Sequence, residues 1–168
     1  MRARGFTLVE MVMVIIILSV LGALTAPMML KGMEAYEGTH RSLRTLDKLR
    51  YATERLAREI RETDLNAGAY VISMATAPPL TFTKTDGVLV TVSSGGSNLN
   101  LGYSTPAVSE VLTDELSSVA FAYFDADGSA AAVTARSVRY VEITLTLTNP
   151  ANGQNYSQRT RVALRDRA

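Results

Sequence analysis

Residues 5–30 read GFTLVEMVMVIIILSVLGALTAPMML. From Met11 to Leu30 there are twenty residues in a row without a charge, and only Ser19 and Thr25 carry polar side-chain atoms. A helix of that length, at about 1.5 Å per residue, covers roughly 30 Å, the thickness of bilayer hydrocarbon. A transmembrane anchor and a secretory signal peptide both begin this way. Signal peptides carry a shorter apolar run of about 7–15 residues and a small-x-small cleavage site. The candidate site after Ala26 has Leu24 where a small residue belongs, and Pro27 follows directly. The run therefore reads as an anchor, and the polar chain from Lys31 onward as one small soluble region.

Composition narrows the function classes. The chain has 168 residues, with 17 Lys+Arg against 16 Asp+Glu, a net charge of +1. That balance gives no support to a dedicated polyanion binder, so nucleic acid is not an expected partner. There is no cysteine, which excludes disulfides, thiolate metal sites and cysteine nucleophiles. One histidine, His40, leaves no multi-histidine metal site. No catalytic constellation, metal site or cofactor is expected, and the chain does not read as an enzyme.

The first ten residues are unusual for a plain anchor. A short basic leader, Met1-Arg2-Ala3-Arg4-Gly5, is followed by Phe6-Thr7-Leu8-Val9-Glu10 and then the apolar run. A carboxylate such as Glu10 costs about 2.5–3.5 kcal/mol at the centre of a membrane helix, and its presence on the edge of one points to function.

This segment resembles the type IV prepilin signature, shared by pilus subunits and the pseudopilins of type II secretion. The resemblance covers the first 30 or so residues. It implies cleavage between Gly5 and Phe6 by a membrane prepilin peptidase, which then N-methylates Phe6. It places Glu10 as the fifth mature residue, where the family's glutamate meets the terminal ammonium of a neighbouring subunit. Opposite charges attract far more strongly in hydrocarbon than in water, so such pairing favours assembly. Pro27 falls where many pilins have a proline, and Gly22 precedes it by five residues; Gly22 to Pro27 is expected to be a weak or kinked stretch. Two further segments, Arg159 to Arg165 and Glu54 to Arg61, resemble minor pilins of the mannose-sensitive haemagglutinin type.

Beyond residue 30 the helical pattern continues in amphipathic form. Leu43, Leu46, Leu49, Leu56 and Ile60 recur at spacings of three, four and seven. Glu37–Arg41 and Glu54–Arg58 are favourable i,i+4 pairs. Asn66-Ala67-Gly68 is the expected stop. Strands are expected at 70–74, 80–83, 88–93, 99–103, 118–124 and 138–148, with a return strand at about 154–164 after the turn at 149–153. In 138–148 (VRYVEITLTLT), Val141, Ile143, Leu145 and Leu147 alternate with polar residues, which gives one buried and one wet face.

The expected fold is therefore α+β. A long amino-terminal helix, transmembrane in its first half, packs on an antiparallel β-sheet head in pilin-like fashion. The expected divisions are a leader at 1–5, a membrane or filament-core helix at 6–30, an amphipathic half at 31–66 and a periplasmic head at 67–168.

Other features invite a blander reading. Arg159, Arg161, Arg165 and Arg167 have odd numbers and share one face of an extended strand. They fit a solvated face with partners such as Glu142, or a contact patch for an acidic neighbour or DNA. The interleaved charges of residues 41–64 fit a solvated, ion-paired helix face. Asp125-Ala126-Asp127-Gly128 resembles the start of a calcium loop, but its twelfth position is Arg136, so a turn is expected. His40 reads as a surface residue, and Tyr36, Tyr51 and Leu56 as packing.

The expected role is a structural subunit, a minor pilin of a type IV pilus-like filament. Its expected partners are prepilin peptidase, other pilin or pseudopilin subunits, the bacterial inner membrane and an assembly platform. Alternatives are a minor pseudopilin of type II secretion and a pilin whose head captures a ligand or DNA. Arg2 and Arg4 imply a cytoplasmic amino terminus.

Overall fold

The computed structural model describes residues 7–165. One helix, α1 (Leu8–Arg61), is followed by nine strands: β1 (Leu65–Asn66), β2 (Ala69–Tyr70), β3 (Leu80–Thr83), β4 (Leu89–Gly95), β5 (Asn98–Ser104), β6 (Ala107–Thr113), β7 (Leu116–Phe124), β8 (Tyr140–Thr148) and β9 (Asn155–Ala163). All strand pairs are antiparallel, and the fold is α+β. The chain divides into two compact units, Met1–His40 and Arg41–Ala168.

Among its described residues the first unit is Thr7 followed by the first part of α1. Every Val, Leu, Ile and Met from Leu8 to Met33 is at least 47% exposed. Burying such a side chain fully is worth about 1.5–3 kcal/mol. Seventeen of them left half in water would forgo roughly 13–26 kcal/mol, at least comparable to the roughly 5–15 kcal/mol that holds a domain folded. This surface fits lipid or packing against other helices.

The second unit has one core with contributions from the helix and both larger sheets. Leu49, Ala52, Leu56, Ala57 and Ile60 of α1 join Leu80, Phe82, Val90, Val92, Leu99 and Leu101 of the β3-β4-β5-β6 sheet. Val119, Phe121 and Tyr123 of β7, and Val141, Ile143, Leu145 and Leu147 of β8, complete it. The β8 residues are fully buried and alternate with half-buried polar neighbours, as the sequence pattern predicts. β8 is the middle strand of the β7-β8-β9 sheet, with Glu142 opposite Arg161 on β9.

The structure corrects several details. The buried helix stripe is Thr45, Leu49, Ala52, Thr53, Leu56, Ala57, Glu59 and Ile60; Leu43 and Leu46 are 50% and 41% exposed. Tyr36 and Tyr51 are exposed rather than packed, whereas Leu56 is fully buried. Glu54 pairs back to Arg50 at 3.5 Å instead of forward to Arg58.

The helix ends at Arg61, short of Asn66. There the amides of Glu62 and Thr63 bond three residues back, to Glu59 and Ile60, and the Thr63 hydroxyl donates to the Ile60 carbonyl at 2.7 Å. These bonds satisfy orphan carbonyls of the last turn. Thr63 then bridges to Lys84 as part of a strand edge. Asn66-Ala67-Gly68 is a hairpin turn between β1 and β2, with Ala67 and Gly68 both at positive φ.

Candidate functional site

The amino-terminal segment is built around Thr7. The backbone N–H of Glu10 donates to Thr7 Oγ1 at 3.3 Å and to the Thr7 carbonyl at 3.1 Å. The Met11 N–H donates to the same carbonyl at 3.2 Å. Thr7 is thus the N-cap of α1 and Glu10 its third helical residue, the T-x-x-E spacing of a capping box. Glu10 lies in the first turn, where the helix dipole favours a carboxylate. Among the described residues its carboxylate has no hydrogen-bond or ion-pair partner. Gly5 and Phe6 lie outside the described residues, as does Arg167.

The polar groups of the apolar run are satisfied locally. The Ser19 hydroxyl donates to the Ile15 carbonyl at 2.7 Å, and that of Thr25 to the Leu21 carbonyl at 3.0 Å. Such back-bonding removes the penalty of a bare hydroxyl in an apolar setting. Pro27 stands inside α1 and, lacking an N–H, leaves the Ala23 carbonyl without its usual donor. A side chain at Gly22 would meet nothing within 4 Å, so nothing described in this chain requires glycine there.

The second unit carries two charge clusters that tie its helical part to loops. Lys48 Nζ lies 2.7 Å from Asp114 and 2.6 Å from Glu115, and Thr45 donates to Glu115 at 2.7 Å. Hydrogen bonds to Asp114 and then Glu115 hold the Lys48 ammonium above the ordinary lysine range. The same bond holds the Asp114 carboxyl below the usual carboxylate range. In the other cluster Glu59, on the buried face, meets Arg55 at 2.9 Å and Lys84 at 3.3 Å. Lys84 also reaches Glu62 at 2.8 Å, and the Glu62 hydrogen bond raises its pKa despite burial. Arg55 donates to the Tyr103 hydroxyl at 2.8 Å.

These clusters were not legible as such. T-x-x-E before an apolar run is a readable capping signal at Thr7. Glu59 falls on the stripe of Leu56 and Ile60, so the sequence shows a carboxylate that needs a partner, while Lys84 as that partner is not legible.

The strand arginines separate. Arg159 and Arg161 both reach Glu142, at 3.4 and 3.1 Å. Arg161 also donates to the Gly128 carbonyl at 2.7 Å and stacks over Phe124 at 4.1 Å. Arg165 lies past the end of β9 and is exposed. The Asp125–Gly128 segment is a turn, with Gly128 at φ 71° and its N–H bonded to the Asp125 carbonyl. Among the described residues no group of three or more His, Cys, Asp or Glu is arranged to hold a metal ion.

Comparison with known families gives a match at the amino terminus. The family described as the prokaryotic N-terminal methylation motif matches residues 1–26. No curated protein matches the chain significantly. The match is of the type IV prepilin kind and covers the leader, Thr7, Glu10 and most of the apolar run. It supports membership of the pilin and pseudopilin class, a structural rather than catalytic role, processing by prepilin peptidase and assembly with other pilin subunits. The apolar α1 segment, with a mean hydropathy of 2.5 over its best 18-residue window, fits membrane anchoring.

Proposed function

We propose that this protein is a minor pilin of a type IV pilus-like filament, resembling the mannose-sensitive haemagglutinin type. Prepilin peptidase cuts between Gly5 and Phe6 and methylates Phe6. Residues 6–30 hold the precursor in the bacterial inner membrane, with Arg2 and Arg4 cytoplasmic and the head periplasmic, and afterwards form the filament core. Residues 31–66 continue the helix as its amphipathic half and then leave it, and 67–168 form the head. Glu10 pairs with the Phe6 ammonium of a neighbouring subunit. Gly22 and Pro27 let the helix bend or unwind as subunits pack. The same amino-terminal chemistry would serve a minor pseudopilin of type II secretion.

One observation carries the reading. The methylation motif at residues 1–26 leads into a helix whose Val, Leu, Ile and Met side chains from Leu8 to Met33 are each at least 47% exposed among the described residues.

The Thr7 cap supplies a clean test. Gln is as good a third residue in a capping box as Glu. Glu10→Gln therefore keeps the helix start and removes only the charge, whereas Thr7→Ala removes the cap and keeps the charge. In a cell with a prepilin peptidase and a type IV filament machine, Glu10→Gln should lower recovery in sheared filaments by about tenfold or more, the effect of losing an interaction of about 1.4 kcal/mol. Thr7→Ala should retain most of it. Filaments that take up Glu10→Gln like the parent would remove the assembly role of Glu10.

A further inference from the structure

Four arginines, from the end of α1, from β9 and from just beyond it, line one groove. Arg58 and Arg61, three residues apart at the end of α1, face Arg161 of β9 and Arg165 beyond it across a groove of about 770 Å³. The carboxylate among its described lining residues, Glu62, is drawn to Lys84 at 2.8 Å. Arg161 is balanced by Glu142. Among the described residues, Arg58, Arg61 and Arg165 have no ion-pair partner.

Local structure accounts for part of this. Cations in the last helical turn interact favourably with the dipole, by about 0.3–1 kcal/mol, which gives Arg58 and Arg61 a reason to be basic. Arg165 lies on no helix and has no such reason. Among the described residues these three cations converge from two directions without a carboxylate paired to them, a repulsive arrangement that an anionic occupant would relieve.

We propose that this groove receives an acidic polypeptide segment of a partner protein, carrying at least two carboxylates. The guanidinium fork matches a carboxylate in bidentate geometry, and all the cations here are arginine. Ala163 and Leu164 line the same groove and offer an apolar floor for the side-chain stems of the guest. Single-stranded nucleic acid fits less well, since it calls for aromatic stacking platforms. Among the described residues no aromatic side chain lines the groove, and Arg161 already covers the Phe124 ring. This inference goes beyond the filament reading and stands or falls apart from it.

The test uses the full-length chain in detergent micelles with a fluorescent decaglutamate peptide as probe. Binding should be readable at about 0.01 M salt and fall markedly by about 0.15 M, as the screening length shortens. Arg61→Glu and Arg165→Glu should each weaken it about tenfold, by removing one attraction and adding a repulsion. Arg50→Glu, on the exposed helix face outside the groove, should change it less than about twofold. If circular dichroism shows that a reversal unfolds the head, Arg61→Gln and Arg165→Gln replace it, with about threefold losses expected. Absence of decaglutamate binding at low salt, or equal loss in Arg50→Glu, would overturn the proposal. Tighter binding of a thymidine oligonucleotide of equal charge would overturn it in favour of nucleic acid.

Discussion

Thr7 caps the helix that Glu10 enters: the Glu10 amide donates to the Thr7 hydroxyl at 3.3 Å, three residues away. The residue proposed to join one subunit to the next is thus fixed in the first helical turn by its near neighbour. Replacing a threonine cap by alanine costs about 0.5–2 kcal/mol. Thr7→Ala in micelles should speed hydrogen exchange at the amides of residues 8–11 by about fivefold and leave the amides of β8 unchanged. Equal rates in both proteins would mean that the cap contributes nothing.

Glu59 and Lys84 form the most deeply buried ion pair of the second unit, at 5% and 16% side-chain exposure. Removing Lys84 leaves Glu59 on the buried face with Arg55 as its remaining cation. Lys84→Met should destabilise the head by about 1–3 kcal/mol in urea unfolding. Adding Glu59→Leu should restore part of that loss. Arg50→Ala, which breaks an exposed pair with Glu54, should cost under about 0.5 kcal/mol. A double variant less stable than Lys84→Met would show that the carboxylate is satisfied without its lysine.

The Lys48 cluster makes a pH prediction of definite sign. The Asp114 carboxyl sits below its ordinary value of 3.8, so its contribution is whole above that pH and is lost as pH falls through the lowered value. Lys48 sits above its ordinary 10.5, so its contribution is whole below that pH and is lost as pH rises through the raised value. The stability difference between the parent and Lys48→Met should therefore be flat from about pH 5 to pH 10 and shrink outside that window. A difference that varies across neutral pH would assign the effect to other groups.

Core truncation should separate the two sheet environments. Leu145, fully buried on the middle strand β8, should cost about 2–5 kcal/mol as Leu145→Ala. Val111 on the edge strand β6 is 57% exposed, and Val111→Ala should stay within about 0.5 kcal/mol. Equal losses in denaturant unfolding would mean that β6 is covered in solution.

The contrast between β8 and β6 also shows what a sequence can disclose. β8 has one face in the core and one in water, so its period of two is visible in Val141, Ile143, Leu145 and Leu147. The first five residues of β6 are exposed on both faces, which removes the alternation that marks a strand, and β6 went unpredicted. The apolar segment 70–74 looks like a strand, but only Tyr70 lies in β2 and Ile72 makes an isolated bridge to Phe82. Met74 at φ 51° turns the chain away. At the proposed assembly site the signal is local and linear, since leader, motif and apolar run are contiguous. The groove of Arg58, Arg61 and Arg165 depends on residues a hundred positions apart, and no local pattern brings them together.

The central claim concerns what happens at Gly5 and Phe6. Intact mass and amino-terminal analysis of the membrane-extracted protein, made with and without a prepilin peptidase in the same cells, addresses it directly. The account predicts loss of residues 1–5 and a methylated Phe6 only where the peptidase is present. An amino terminus at Met1 in both cells, or one close to Pro27, would contradict it and leave Glu10 without its proposed partner.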